Sequence, residues 1–163
     1  MLYALEVPDS GGETQFANMF SALQQLPADL RAAIDGKRLV HSYVYSRANN
    51  PGHMEPMSLE EQKKYPPVSH PWIRTHADGR ESLYMGGHVS HVEGMDLDEG
   101  RKLIDDVLTA ATRNQFIYEH HWAANDLVIW DNRSTLHRLR PYEISARRRV
   151  MRRVTVAGFD RVR

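Results

Sequence analysis

The sequence contains no cysteine, which excludes disulfides, thiolate-held zinc and iron–sulfur centres. Charge of neither sign prevails: 21 Lys+Arg face 21 Asp+Glu, and the formal net charge is zero. Binding to nucleic acid, or to a membrane surface through a polybasic segment, therefore finds no support in bulk charge. No apolar run approaches the ~20 residues of a membrane-spanning helix. The start, Met1 to Pro8, lacks the basic-then-apolar pattern of a secretory signal. A cytoplasmic protein is the expectation. Internal repeats and low-complexity segments are missing as well.

What is present is a chain of 163 residues, 41% hydrophobic, enough for one packed core. Residues 2–7 read as a strand that stops at Pro8 and a turn-rich Asp9-Ser10-Gly11-Gly12. Phe16, Met19, Phe20 and Leu23 form a helical stripe over 15–25. A short helix over 27–35 opens on Pro27 and stops at Gly36. Residues 38–45 look like a strand, and 46–70, with Asn49-Asn50-Pro51-Gly52 and Pro66-Pro67, like a long loop or lid. Two strands over 71–76 and 81–86 flank Asp78-Gly79 as a hairpin. Asp96 and Glu99 form a capping-box signature for a helix over 97–112. Strands near 115–121, 126–131, 134–139 and 149–157 close the chain. Many strands with few helices indicate a mainly β fold, a sandwich or jelly roll with flanking helices.

The chemistry concentrates in the last strands. In 134–139 the side chains of Thr135, His137 and Leu139 share a face. In 149–155 Arg149, Met151, Arg153 and Thr155 do the same, so one neighbouring face presents an imidazole and two guanidiniums. At ~3.3 Å per residue the two arginine backbones stand roughly 13 Å apart, room for two separate anions. The plainer reading is a solvated charge run at Arg147-Arg148-Arg149, and one histidine in a strand does not specify a metal. His76-Ala77-Asp78 has the letters of a metal motif but falls on the hairpin turn. His120 and His121 are adjacent on a strand and point to opposite faces.

The segment Asn125-Asp126-Leu-Val-Ile-Trp130-Asp131-Asn132-Arg133-Ser-Thr-Leu-His137-Arg138 resembles the distal-histidine motif of the TauD/TfdA dioxygenases. Gly11-Gly12-Glu13-Thr14, Arg74-Thr75-His76 and Ala110-Ala111-Thr112 resemble further blocks of that family, in its order. The likeness runs from about residue 2 to 157. Within the family, His88-Val-Ser-His91-Val-Glu93-Gly94 and Tyr142-Glu-Ile-Ser-Ala-Arg147-Arg148 look most like 2,4-dichlorophenoxyacetate dioxygenase and its relatives.

The resemblance implies a double-stranded β-helix, Fe(II), 2-oxoglutarate and O2, with hydroxylation of a small organic acid and release of succinate and CO2. It also implies roles. His137 matches the distal ligand of a 2-His-1-carboxylate triad. Arg149 matches the arginine, and Thr14 the hydroxyl, that hold the far carboxylate of 2-oxoglutarate. Arg153 matches the arginine facing the substrate's acid group, with Tyr43 and His88 lining the substrate pocket. Trp130-Asp131-Asn132 shapes the turn before His137. An aryloxyalkanoate carboxylate is favoured over a sulfonate or sulfate ester. The family's other two ligands form a His-x-Asp/Glu motif upstream of the Gly-Gly-x-Thr block, which here begins at residue 11. The N-terminal part of the domain is thus expected to be missing, and a non-catalytic remnant binding small anions or a partner is the alternative. Sheet edges exposed by a start in mid-fold would be covered by a partner or in a homo-oligomer.

Overall fold

The computed structural model describes residues 1–49, 55–143 and 148–156. Asn50-Pro51-Gly52, Ile144 to Arg147 of the Tyr142 block, and the end of the last strand beyond 156 lie outside the described residues.

The strand at the start is β1 (Leu2–Glu6), and the glycine-rich turn after it carries Gly11 and Gly12 at φ +78° and +76°. The expected helical stripe over 15–25 is a strand followed by a helix: β2 (Thr14–Asn18) and α1 (Met19–Gln24). Asn18 marks the change, because its side chain accepts from the backbone N–H groups of Phe20 and Ser21 and caps α1. After α2 (Ala28–Ile34), the expected strand over 38–45 ends early as β3 (Arg38–His41). Ser42 then caps α3 (Tyr43–Ala48) by accepting from the Tyr45 N–H. The stretch 46–70, expected as loop or lid, holds the end of α3, α4 (Leu59–Lys64) and the start of β4 (Val68–Pro71). Its local signal is a capping box between Ser58 and Glu61.

β5 (Ile73–Thr75) and β6 (Glu81–Leu83) form the expected hairpin, with Gly79 at φ +80° in the turn. β7 (Val89–Val92) joins β3 and β4 in one sheet of order β4-β3-β7. α5 (Leu97–Ala111) is capped by Asp96, which accepts from the N–H groups of Asp98 and Glu99. It buries Gly100, Ile104, Val107 and Ala111. These join Met19, Leu23, Ile34, Leu39, Trp72 and Leu83 in the core.

β8 (Ile117–His120), β9 (Leu127–Val128), β10 (Thr135–Leu139) and β11 (Val150–Arg153) complete the chain. The expectation that the last two strands share a neighbouring face needs correction. β10 lies in a sheet of order β10-β2-β8, and β11 in another of order β11-β1-β9. The described residues thus form three three-stranded sheets and one hairpin, with α1 packed on β6 and α5 on β7. Of the β11-β1-β9 residues only Ala4 is buried, while Leu127 is 54% exposed and Ile129 and Val154, just beyond the strands, 67% and 53%. That sheet contributes little to the core.

Candidate active site

Two environments are built from the two sheets. The first lies where β2 begins. Thr14 is buried, and its Oγ1 accepts from the indole Nε1–H of Trp122 at 2.9 Å and, at the limit of reach, from Arg149 Nη2 at 3.5 Å. The Arg149 Nε–H also donates to the carbonyl of Gly12 at 3.2 Å, and its guanidinium stands 5.8 Å from the Trp122 ring. A hydroxyl has two acceptor sites and one proton. With both acceptor sites engaged, the Thr14 O–H is left to donate, and no described residue accepts it. Arg149 has no carboxylate partner among the described residues, and burial pulls its pKa below the usual arginine range, against an opposing effect of Tyr142. A cation and a free O–H side by side, partly withdrawn from water, form a cradle for a carboxylate.

Gly12 makes this contact possible. A Cβ there would stand 3.2 Å from Arg149 Cδ, and its φ of +76° suits glycine. Thr14 and Arg149, both expected from the sequence, are brought together here, and Trp122, which the sequence did not single out, joins them. Its position follows from the β2–β8 register, which sets Thr14 opposite His120, two residues before Trp122. No local pattern carries that long-range pairing.

The second environment is an open cavity of about 590 Å³, to which His137, Arg153, Tyr43 and His88 all contribute. His137 sits on β10 opposite Phe16 of β2, with ring centroids 6.3 Å apart, and Trp130 stands 5.0 Å from it. Although its ring is accessible to solvent, loss of hydration, then the charges of Arg153 and the N-terminus, lower its pKa. The neutral imidazole is the metal-binding form. Tyr43 heads α3 and stacks on His88 with ring centroids 6.0 Å apart and planes 10° from parallel. His41 and Tyr84 also line this cavity and stack at 5.2 Å. Burial, then His70 and His88, push the His41 pKa down to about 4. Sequence reasoning did not single out His41 or Tyr84.

Arg149 and Arg153 thus serve different places, the cradle and the cavity. The turn before β10 is held by Asp131, which accepts from the backbone N–H and guanidinium of Arg133, while Trp130 Nε1–H donates to Asn132. His76 is engaged with Ser82 at 2.8 Å, and Asp78 binds Arg80, so this pair closes a hairpin. His120 pairs with Asp126, and His121 with Glu13 and Glu119.

Residues 1–155 match the model of the family described as taurine catabolism dioxygenase TauD, TfdA family. The chain belongs to the TauD/TfdA family. It is 44% identical over 159 residues to the alpha-ketoglutarate-dependent 2,4-dichlorophenoxyacetate dioxygenase of Cupriavidus pinatubonensis, covering 96% of this chain and 54% of that protein. It is 45% identical to the enzyme of the same name from a Burkholderia strain, covering 97% of this chain and 52% of the other. The crystal structure of AAD-2 in complex with Mn(II) and N-oxalylglycine superposes with a TM-score of 0.88 at 38% identity, over 99% of this chain and 63% of that one. The chain spans about half the length of the curated relatives it matches.

Members of the TauD/TfdA family are 2-oxoglutarate-dependent dioxygenases that use Fe(II). The donor set here fits the cosubstrate better than the metal. Arg149, Thr14 and Trp122 suit a carboxylate, whereas no three His, Asp or Glu side chains among the described residues are grouped to hold an ion. One imidazole does not make an iron site, so no step through the metal follows from these residues.

Arg153 and His137 are coupled through charge. Replacing Arg153 by leucine removes one of the two positive charges that lower the His137 pKa. The imidazole pKa should then rise, yet stay below its ordinary value of ~6.5 because poor hydration remains. Following the ring carbon shifts of His137 by NMR against pH checks this. An unchanged titration would show that the two side chains do not share one cavity.

Proposed function

We propose that this chain supplies the cosubstrate and acid-binding side of an Fe(II)- and 2-oxoglutarate-dependent dioxygenase that hydroxylates a small organic acid. The cradle of Arg149, Thr14 and Trp122 carries the proposal: a fork-shaped cation and a free hydroxyl fit the far carboxylate of 2-oxoglutarate. Arg153 holds the acid group of the substrate in the cavity beside His137, against the stacked Tyr43 and His88. An aryloxyalkanoate is favoured as substrate, in keeping with the 2,4-dichlorophenoxyacetate dioxygenases it resembles, while sulfonates and sulfate esters offer Arg153 the same kind of anion. The metal, when held by a complete ligand set, supplies the oxidative chemistry. This chain contributes one of those ligands, His137, and the orientation of both acids.

A second reading has its own observation. With no group of three ligands among the described residues, the chain by itself is an anion-binding remnant without turnover. Succinate formation from 2-oxoglutarate and 2,4-dichlorophenoxyacetate separates the two. The chain alone should bind 2-oxoglutarate and form no succinate. Joined to the part of the Cupriavidus enzyme that it does not match, it should form succinate in step with substrate loss. No turnover by the joined and folded protein favours the remnant.

A further inference from the structure

The cavity holding Arg153 does not stand alone. A hollow of about 250 Å³ is lined by Ala17, Leu108, Ile117 and Leu136 with Gln15 and Thr112 among them, and another of about 390 Å³ by Tyr45, Ile104 and Leu108 with Arg101 and Asp105. Gly86 and Gly87 line all three spaces. They follow Met85 in the connection between β6 and β7, so the partition between the spaces is bare backbone at this point.

Glycine is usually required for a positive φ or a close approach. Neither glycine has a positive φ. A Cβ on Gly86 would stand 3.4 Å from Leu136 Cδ2, an ordinary contact. On Gly87 it would meet no described residue within 4 Å. Position 87 therefore has no backbone or packing requirement for glycine, although glycine costs conformational entropy on folding. What glycine leaves there is open space between the three hollows.

We infer that Gly87 sets the size of acid the site accepts, by letting the apolar end of a substrate pass from the Arg153 cavity toward Leu108. The inference rests on the reading of that cavity as the organic-acid site and adds the course of the far end of the ligand. The substrate class follows: a monoacid whose apolar part reaches beyond one aromatic ring. An alcohol or amine of that shape lacks the anion that Arg153 requires. A polar far end would lose hydration against Leu108, Ile117 and Leu136, where Gln15 is already bonded to Glu119 and Arg138 and Thr112 to the Leu108 carbonyl.

The test uses the full chain and two probes, phenoxyacetate with one ring and 4-phenylphenoxyacetate with two, titrated by NMR. In the wild-type chain the two-ring acid should shift the Gly87 amide and the Leu108 methyls, and the one-ring acid should leave the Leu108 methyls in place. In Gly87→Val the affinity of the two-ring acid relative to the one-ring acid should fall by about 10-fold or more, since a pocket that must absorb extra methyl groups rejects by this order. Leu108→Trp, at a partly exposed residue that lines both smaller hollows, should lower the same ratio. Amide spectra that keep the wild-type dispersion establish that each variant is folded. An unchanged ratio in both folded variants overturns the role of Gly87 while leaving the acid site standing. Saturable binding of neither acid by the wild-type chain overturns the acid site, and the inference with it.

Discussion

Replacing Arg149 by glutamine should weaken 2-oxoglutarate binding by about 30-fold or more, the order expected when one partner of a partly buried, hydrogen-bonded charge pair is lost at about 2 kcal/mol or above. The guanidinium has no carboxylate of its own among the described residues, and Gly12 and Thr14 fix its orientation. A ligand carboxylate therefore meets a cation that is already positioned. Glutamine leaves Thr14 and Trp122 in place, so the loss reports the missing charge. Arg149→Lys should recover only part of the affinity, because an ammonium keeps the charge but cannot match the two carboxylate oxygens as a fork does. Isothermal titration with 2-oxoglutarate measures both variants. Equal affinity for glutamine and arginine at 149 would remove this side chain from the site.

Replacing Trp72 by alanine should be the most damaging single change to the fold. Its side chain is fully buried among Leu39, Leu83 and Val107 of the core, between β4 and β5. Truncating a buried tryptophan costs about 3–5 kcal/mol, against a total stability of roughly 5–15 kcal/mol for a domain. Trp72→Phe should cost much less, under about 2 kcal/mol. The buried indole N–H has no acceptor among the described residues, and phenylalanine removes that unmet donor while keeping most of the ring. Urea unfolding followed by circular dichroism checks the order. A phenylalanine variant as unstable as the alanine one would show that the indole N–H has a partner.

The elements legible in the sequence were those whose signals are local. α5 follows from the Asp96 cap, and the β5–β6 hairpin from Asp78-Gly79. Residues 15–25 read as one helix because Phe16 on a strand and Met19, Phe20 and Leu23 on a helix mimic one continuous stripe. The capping side chain of Asn18 separates them. Ser42 divides β3 from α3 in the same way, and Tyr43 thereby sits at a helix start. The resemblance to a family names candidate residues one by one, but not how they assemble. Which strand lies beside which is decided by contacts far apart in sequence, so β10 and β11 were joined when they belong to separate sheets. The same long-range pairing brings in Trp122, which no neighbouring residue announces.

In the proposed site the Arg149 guanidinium and the Thr14 O–H hold a 2-oxoglutarate carboxylate, and Trp122 orients Thr14 from behind. The indole N–H of Trp122 bonds to Thr14 Oγ1 and so lies one hydrogen bond from the proposed ligand. Titrating the chain with 2-oxoglutarate while following that indole resonance by NMR tests the claim most directly. The resonance should shift and saturate in the wild-type chain and stay fixed in folded Arg149→Gln. A wild-type indole signal that does not move, or one that moves equally in both proteins, would contradict it.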